Sequence, residues 1–98
     1  MNYILSKTAE EDIDAIFDYG KYRFGHDQAI NYLVELESLI QSISKTPEIG
    51  RFRNEIKKGL QSFPYQSHII FYRNLKTHIR IIRILHGSRD LPSQFLKK

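Results

Sequence analysis

The chain has 98 residues, 41% of them hydrophobic and 27% charged, which is enough for one hydrophobic core and too short for two domains. It has no cysteine, which excludes a disulfide framework, thiolate metal sites and a cysteine nucleophile. The net charge of +4 is unevenly distributed: residues 1–50 carry four Lys/Arg against nine Asp/Glu, and residues 51–98 carry eleven against two. We therefore predict one domain over residues 1–98, with an electropositive face built from its second half.

The N-terminal segment predicts a short strand followed by a helix. Tyr3–Ser6 is the strand, and Thr8–Glu11 matches a capping box in which Thr8 is the N-cap. Apolar residues then recur at helical spacing, which places Asp12 and Asp14 on the solvent side. Gly25 suits the end of this helix.

A second helix is predicted almost at once. Asp27 can cap it, apolar residues recur from Ala29 to Ile43, and Pro47 and Gly50 end it. Two amphipathic helices with so short a connection form an antiparallel hairpin. We expect this hairpin to cover a sheet.

The second half of the chain supplies the rest of that sheet. Gly59–Phe63 predicts a short strand ending at Pro64, and Ser67–Arg73 and His78–His86 are rich in β-branched and aromatic residues. Asn74–Thr77 predicts the hairpin loop between the last two strands. Since the final strand is apolar at both parities, we expect it to be central and covered on both faces. The predicted fold is α+β, in the order β-α-α-β-β-β: an N-terminal helical hairpin packed on a curved, mostly antiparallel four-stranded sheet.

Nothing in the sequence predicts a membrane or an export signal. The first residues lack the basic and apolar regions of a signal peptide, and no apolar run approaches the roughly 18–20 residues that cross a bilayer. We expect the protein to act in the cytoplasm. Four scattered histidines and the lack of a glycine-rich phosphate loop predict no metal site and no cofactor.

Polar residues cluster where the last strand ends. They are Arg83, His86, Arg89 and Asp90, and Arg73 lies on the preceding strand. Such a cluster suits RNA cleavage, because arginines neutralise phosphate and a histidine moves a proton. The same residues could instead bond one another, or Arg83 could pair with a carboxylate from the helices. Both interpretations remain open at this point.

Two further groups suggest a partner. A basic group near the first edge of the sheet suits phosphates or an acidic protein segment, or is simply solvated; it comprises Arg51, Arg53, Lys57 and Lys58. Four aromatic residues of the helices are expected in or near the core, or else line a groove for a partner helix. They are Phe17, Tyr22, Phe24 and Tyr32.

The ordered motifs resemble the ParE branch of the RelE/ParE toxin superfamily. The most specific are Ser67–Arg73 and Arg83–His86, the latter followed by Asp90. Weaker matches run along the rest of the chain: Ala9, Asp12-Ile13, Ile16, Tyr19, Phe24-Gly25, Gln28-Ala29, Tyr32, Pro47, Gly50 and Gly59-Leu60. One departure is Phe24, where many relatives carry Trp.

The resemblance implies the toxin of a type II toxin–antitoxin module that inhibits DNA gyrase without catalysing a reaction and so blocks replication. A ParD-like antitoxin would neutralise it by wrapping it with its C-terminal region, and DNA would be met only through gyrase or the antitoxin. We assign target contact to Arg73, Arg83, His86, Arg89 and Asp90. We assign antitoxin contact to Arg51, Arg53, Lys57, Lys58, Phe17 and Tyr32.

Two alternatives remain. The RelE branch shares the fold but contains ribosome-dependent mRNA interferases, which typically use a Tyr or His in the C-terminal segment. Phe95 falls about where that Tyr would be and cannot transfer a proton, whereas His86 can. A basic nucleic-acid-binding module without toxicity would instead show salt-sensitive binding to bare DNA.

Overall fold

The computed structural model describes residues 2–87. In chain order its elements are β1 (Asn2–Leu5), α1 (Lys7–Phe24), α2 (His26–Lys45), a 3-10 turn (Pro47–Ile49), β2 (Arg51–Phe52), β3 (Gln61–Tyr65), β4 (His68–Asn74) and β5 (His78–His86). The strands form one sheet in the order β1-β5-β4-β3-β2, with β1 parallel to β5 and the other neighbours antiparallel. The predicted α+β architecture, a helical hairpin with a mostly antiparallel sheet, is confirmed.

The sheet has five strands where four were predicted. The additional strand, β2, pairs only Arg51 with Ser62 and Phe52 with Gln61, and two residues are too few to show a periodic pattern. Strand β3 begins later than predicted and continues through Pro64. This is tolerated because β2 no longer pairs at Pro64, and a position at a strand edge accepts a missing N–H.

The predicted helix starts were wrong, and the predicted end of α1 was right. The N-cap of α1 is Ser6 rather than Thr8: its hydroxyl accepts from the Ala9 N–H and donates to the Ile82 carbonyl, both at 2.9 Å. Ser6 therefore caps the helix and ties it to β5 at once. Gly25 ends α1 at a φ of 95° and α2 starts directly after it, without a cap from Asp27.

The main core lies between the helices and one face of the sheet. Helix α2 contributes Leu36, Ile40 and Ile43, all buried, whereas Ala9 is the fully buried residue of α1. The sheet contributes Ile70 and Tyr72 from β4 and Ile79, Ile81 and Ile84 from β5. Because Ala9 is the fully buried residue that α1 contributes to the core, much of the surface of α1 remains available at the side of the sheet.

Strand β5 is central and contributes to both faces, as predicted. A second cluster, formed by Leu60, Phe71 and Leu85, packs on the face opposite the helices. The pairing shifts between Phe71 and Tyr72, which leaves Ile82 as an extra residue in β5. This bulge explains why the apolar residues of β5 change parity along the strand.

Two of the four helix aromatics expected in or near the core are exposed. Tyr22 is 86% and Phe24 60% exposed, so neither lies in the core. Phe24 lines a recess beside the helical hairpin, which is the other interpretation given for these residues, whereas Tyr22 does not. Gly20 of α1 faces Ala29 of α2, and Tyr22 lies about 200° around the helix from Gly20. Tyr22 therefore points away from α2, which explains its exposure. Within residues 2–87, no helix has the length and apolar character needed to span a membrane.

Candidate functional site: a groove between the helical hairpin and the sheet

A cavity of about 330 Å³ lies between the tip of the helical hairpin and the end of strands β4 and β5. A second recess continues from it along α1 and β5, past Asp12 and Arg83. The two share four lining residues, so we treat them as one hairpin groove. Its lining comprises Asp12, Ala15, Ile16, Tyr19, Gly20, Phe24, Gln28, Ala29, Tyr32, Ser67, His68, Arg83, Ile84, Leu85 and His86.

The groove exists because small residues lie where the helices meet. A Cβ placed on Gly20 would lie 3.6 Å from the Cβ of Ala29, so neither helix carries a side chain large enough to fill the space. On its outer side, Tyr19 and Phe24 are 59% and 60% exposed. The result is an open, mostly apolar groove with an aromatic rim.

The sheet side of the groove carries a cluster of aromatic and imidazole rings. His68 and His86 are register partners with ring centroids 5.5 Å apart. The Tyr32 hydroxyl and His68 Nδ1 share a hydrogen bond of 2.7 Å, whose direction depends on the imidazole tautomer. Burial raises the pKa of Tyr32, opposed by a hydrogen bond from the Ser67 backbone.

Tyr65 supports this cluster from behind. Its hydroxyl donates to the Tyr32 carbonyl at 2.9 Å and lies 3.5 Å from Glu35 Oε1. Burial, helped by the charge of Glu35, raises the pKa of Tyr65 to about 12. Both phenols are therefore protonated at neutral pH.

Arg83 is engaged by Asp12 of α1. Its Nε and Nη2 donate to the two carboxylate oxygens at 2.9 and 3.0 Å, and the Ile84 N–H donates to the same carboxylate at 2.9 Å. Strand β1 ends at Leu5, opposite Ile81, so beyond that point α1 replaces a neighbouring strand at the edge of β5. The hydrogen bond to Asp12 raises the pKa of Arg83, against the effect of burial.

The expectation that Asp12 faces solvent was wrong, and the helical spacing contained the correct signal. Asp12 lies three residues after buried Ala9 and four before Ile16, hence on the inward face of α1. A carboxylate on that face requires a cation or hydrogen-bond donors. Two interpretations of Arg83 were left open, and the structure shows the one in which Arg83 pairs with a helix carboxylate. Contact between Arg83 and a target stays a prediction.

The structure separates the residues assigned to target contact. Arg83 and His86 line the groove, whereas Arg73 lies on the opposite face of the sheet, where its Nη2 donates to the Lys58 carbonyl at 2.9 Å. Tyr72, the neighbour of Arg73 on β4, is buried and donates to the Pro47 carbonyl at 2.7 Å. Arg89 and Asp90 lie outside the described residues.

The residues assigned to antitoxin contact fall into two places. Arg51, Arg53, Lys57 and Lys58 lie together on β2 and the following loop, and we call them the basic edge. Within it, Arg53 pairs with Glu55 at 2.7 Å and lies over the Phe71 ring at 5.7 Å, whereas the other three are exposed. The remaining two belong to the helices: Tyr32 lies in the groove, and Phe17 packs edge-on against His26.

Sequence reasoning missed much of the groove because three separate segments build it. Gln28 and Ala29 match the resemblance without any local sign of a cavity, and Tyr19 looked like an ordinary helix residue. Among the described residues, no three His, Asp or Glu side chains come together to hold a metal ion.

Known proteins match this chain over most of its length. The family described as "ParE toxin of type II toxin-antitoxin system, parDE" matches residues 3–91. The chain is 36% identical over 88 residues to Toxin ParE1 of Caulobacter vibrioides, which covers 90% of this chain and 91% of the relative. It is 37% identical over 90 residues to Toxin ParE1 of Mycobacterium tuberculosis, covering 91% and 92%.

The fold also matches a solved structure, described as a chromosomal ParDE toxin–antitoxin system from P. aeruginosa. The TM-score is 0.76 at 19% identity, covering 88% of this chain and 95% of that chain. The family match, the two relatives and the likeness of fold thus agree. This chain belongs to the family of ParE toxins of type II toxin–antitoxin systems.

Proposed function

We propose that this ParE toxin inhibits DNA gyrase without catalysing a reaction, so that replication stops, and that a ParD-like antitoxin neutralises it in the cytoplasm. The observation that carries the proposal is the family match over residues 3–91, joined to an open, mostly apolar groove. The proposed target contacts are Arg73, Arg83, His86, Arg89 and Asp90.

The chemistry of the groove supports binding rather than catalysis. An arginine that stabilises a cleaved phosphate must direct its guanidinium to the substrate, and that of Arg83 is held by Asp12 in a bidentate pair. Tyr32 and Tyr65 keep their protons at neutral pH, so neither phenol acts as a base. A surface of this kind acts by occupying a site on another protein.

The proposal is tested with purified gyrase. Adding the toxin should inhibit supercoiling and make linear DNA accumulate in proportion to the amount added. His86→Ala should reduce this effect about tenfold, because His86 lies at the exposed end of β5, in the groove. The readouts are supercoiled and linear DNA on a gel.

His78→Ala is the matched control. His78 lies at the other end of the same strand and outside the groove, so its removal should leave inhibition unchanged. Gyrase that remains fully active with folded toxin would overturn the proposal. Equal losses in the two variants would remove His86 from the target contacts.

The ring cluster favours one alternative, a ribosome-dependent mRNA interferase of the RelE type. His68, His86 and the Tyr32 hydroxyl come together in a groove, and an imidazole can act as acid or base near neutral pH. This alternative predicts message cleaved at defined positions on ribosomes, lost in His86→Ala. Intact message in cells whose growth the toxin has stopped would exclude it.

For the antitoxin we propose two contacts on one partner. Apolar side chains of a ParD-like chain would fill the groove beside Tyr32 and contact Phe17 outside it, and its acidic residues would meet the basic edge, Arg51, Arg53, Lys57 and Lys58. Arg51, Lys57 and Lys58 are exposed and free to meet carboxylates, whereas Arg53 is engaged by Glu55. Apolar contacts would supply most of the affinity, and rim charges would speed association.

Tyr19→Glu should weaken antitoxin binding roughly 30-fold, the loss of about 2 kcal/mol typical of an interface hot spot. The change places a carboxylate on the rim of the apolar groove, where a bound antitoxin would strip it of water. Isothermal titration with the purified antitoxin measures the loss.

Tyr22→Glu provides the comparison, since Tyr22 is an exposed tyrosine of the same helix that does not line the groove. Its affinity should stay within about twofold of the unaltered toxin. If the two variants lose affinity equally, or neither does, the antitoxin does not bind in the groove.

A further inference from the structure

The fold sorts the charges of this chain onto two sides. Residues 51–87 carry eight Lys/Arg and one carboxylate, Glu55, which is already paired with Arg53. The acidic residues of the first half lie mainly on α1 and α2, and both helices pack on one face of the sheet. Among residues 2–87, the opposite, helix-free face carries the apolar cluster of Leu60, Phe71 and Leu85 and, by strand alternation, Arg73 and Arg80.

The centre of this face carries two arginines side by side. Arg73 of β4 and Arg80 of β5 are register partners, and strand alternation puts Arg73 on the same side as Phe71. Like charges directly opposite each other destabilise a sheet. Among the described residues the ion pairs involve Arg53 and Arg83, so no carboxylate offsets this repulsion.

Arg73 is also held in place. Its Nη2 donates to the Lys58 carbonyl, and a Cβ on Gly59 would lie only 3.0 Å from its Nη1. The guanidinium is thus fixed against the loop that carries Lys57 and Lys58, both exposed. A positioned group loses less entropy when it binds an anion.

An aromatic ring lies at the adjoining edge of the sheet, on β2 and beside Lys58. Phe52 is 58% exposed and lines a shallow recess together with Asn54, Lys58 and Gly59. Exposed rings next to a basic surface are how proteins hold single-stranded nucleic acid, with bases stacked on the ring and phosphates on the cations. An acidic protein segment would need an apolar side chain at the position of the ring, whereas every base of a single strand has a face that can stack on it.

We propose that the helix-free face and the adjoining β2 edge bind single-stranded nucleic acid directly, with phosphodiester groups on Arg73, Arg80 and the Lys57–Lys58 loop and a base stacked on Phe52 at that edge. This departs from the expectation that DNA is met only through gyrase or the antitoxin. Arg73 and Arg80 lie outside the basic edge, although Lys57 and Lys58 border both surfaces. The proposal does not rest on gyrase inhibition and is measured without gyrase.

The test is fluorescence anisotropy with a short labelled single-stranded DNA over a range of salt concentrations. Arg80→Gln should make the slope of log affinity against log salt shallower by about 0.7, the value for one phosphate contact on a single strand. Phe52→Ala should lower affinity about tenfold and leave that slope unchanged, because stacking releases no counterions. The two variants thus separate the two halves of the site.

Lys21→Gln is the control, since it removes one exposed cation from α1 on the other side of the molecule. Its slope should equal that of the unaltered chain. Arg80→Gln should melt no lower than the unaltered protein, because it relieves the repulsion with Arg73. A stable variant with a shallower slope cannot be explained by misfolding.

Three results would overturn the proposal. One is an equal change of slope in Lys21→Gln and Arg80→Gln, which would mean that only overall charge matters. The second is salt-dependent binding that Phe52→Ala leaves at full strength. The third is that the protein binds polyglutamate but binds neither the DNA nor RNA of the same sequence. That result would make the face a site for an acidic protein segment.

Discussion

Asp12→Ala is expected to lower the free energy of unfolding by about 3 kcal/mol, as breaking a largely buried ion pair does. The carboxylate accepts three hydrogen bonds, two from Arg83 and one from the Ile84 N–H. Its removal leaves a half-buried guanidinium and a backbone donor without their acceptor. Denaturant unfolding followed by circular dichroism measures the loss.

Asp14→Ala provides the matched control for this prediction. Asp14 lies on the same helix two residues away and is exposed, so the change should stay within about 0.5 kcal/mol. Arg83→Met should cost less than Asp12→Ala, because Asp12 keeps the Ile84 N–H and no buried cation is left unpaired. Equal stability of the Asp12 and Asp14 variants would show that the pair does not hold α1 against β5.

Gly50→Ala is the second substitution with a large expected effect, again about 3 kcal/mol, at the upper end for overpacking a core. The backbone at Gly50 is extended, with φ of −77°, so conformation is no obstacle. The obstacle is Tyr72, since a Cβ on Gly50 would overlap its hydroxyl and lie 2.6 Å from its Cζ. Tyr72 cannot move aside because it is fully buried.

The same place holds a hydrogen-bond network that a displaced Tyr72 would break. Its hydroxyl donates to the Pro47 carbonyl, and Gln61 Nε2 donates to the Pro47 and Gly50 carbonyls at 3.0 and 3.2 Å. These bonds join the segment after α2 to strands β3 and β4. Thermal melting should show the loss as a fall of roughly 10 °C or more for a chain of this size.

Gly20→Ala is the comparison for Gly50→Ala. An added Cβ there meets Ala29 at an ordinary 3.6 Å, and alanine favours a helix over glycine by up to about 1 kcal/mol. This variant should melt at the same temperature or higher. If Gly50→Ala is tolerated equally well, the close approach of Tyr72 does not constrain the turn.

Local patterns in the sequence were sufficient to predict the order of the helices and of the main strands. Helical spacing predicted two helices, Gly25 predicted the break between them, and apolar residues at both parities predicted that β5 is central. Each of these features is encoded within a few neighbouring residues, which is the range over which periodicity and turn preference act. The resemblance of the two last strand motifs then predicted the family that the comparisons confirmed.

Contacts between residues far apart in the sequence decided the helix cap, the orientation of Asp12 and the two faces of β5. Ser6 replaced Thr8 as the helix cap because its hydroxyl also reaches the Ile82 carbonyl, and Asp12 turned inward to meet Arg83, 71 residues away. The bulge at Ile82 brought Ile81 and Ile84 to one face despite their different parity. No window of sequence contains both partners of such contacts.

The sequence by itself thus determined the helical hairpin, the central strand, the family and the uneven division of charge. Only the tertiary structure showed that Arg83 is engaged by Asp12, that Arg73 and His86 lie on opposite faces of the sheet, and that Arg73 and Arg80 are register partners with no ion pair to a carboxylate within residues 2–87. The physical reason is that periodicity assigns a residue to a face, whereas strand register and helix docking decide what it meets there.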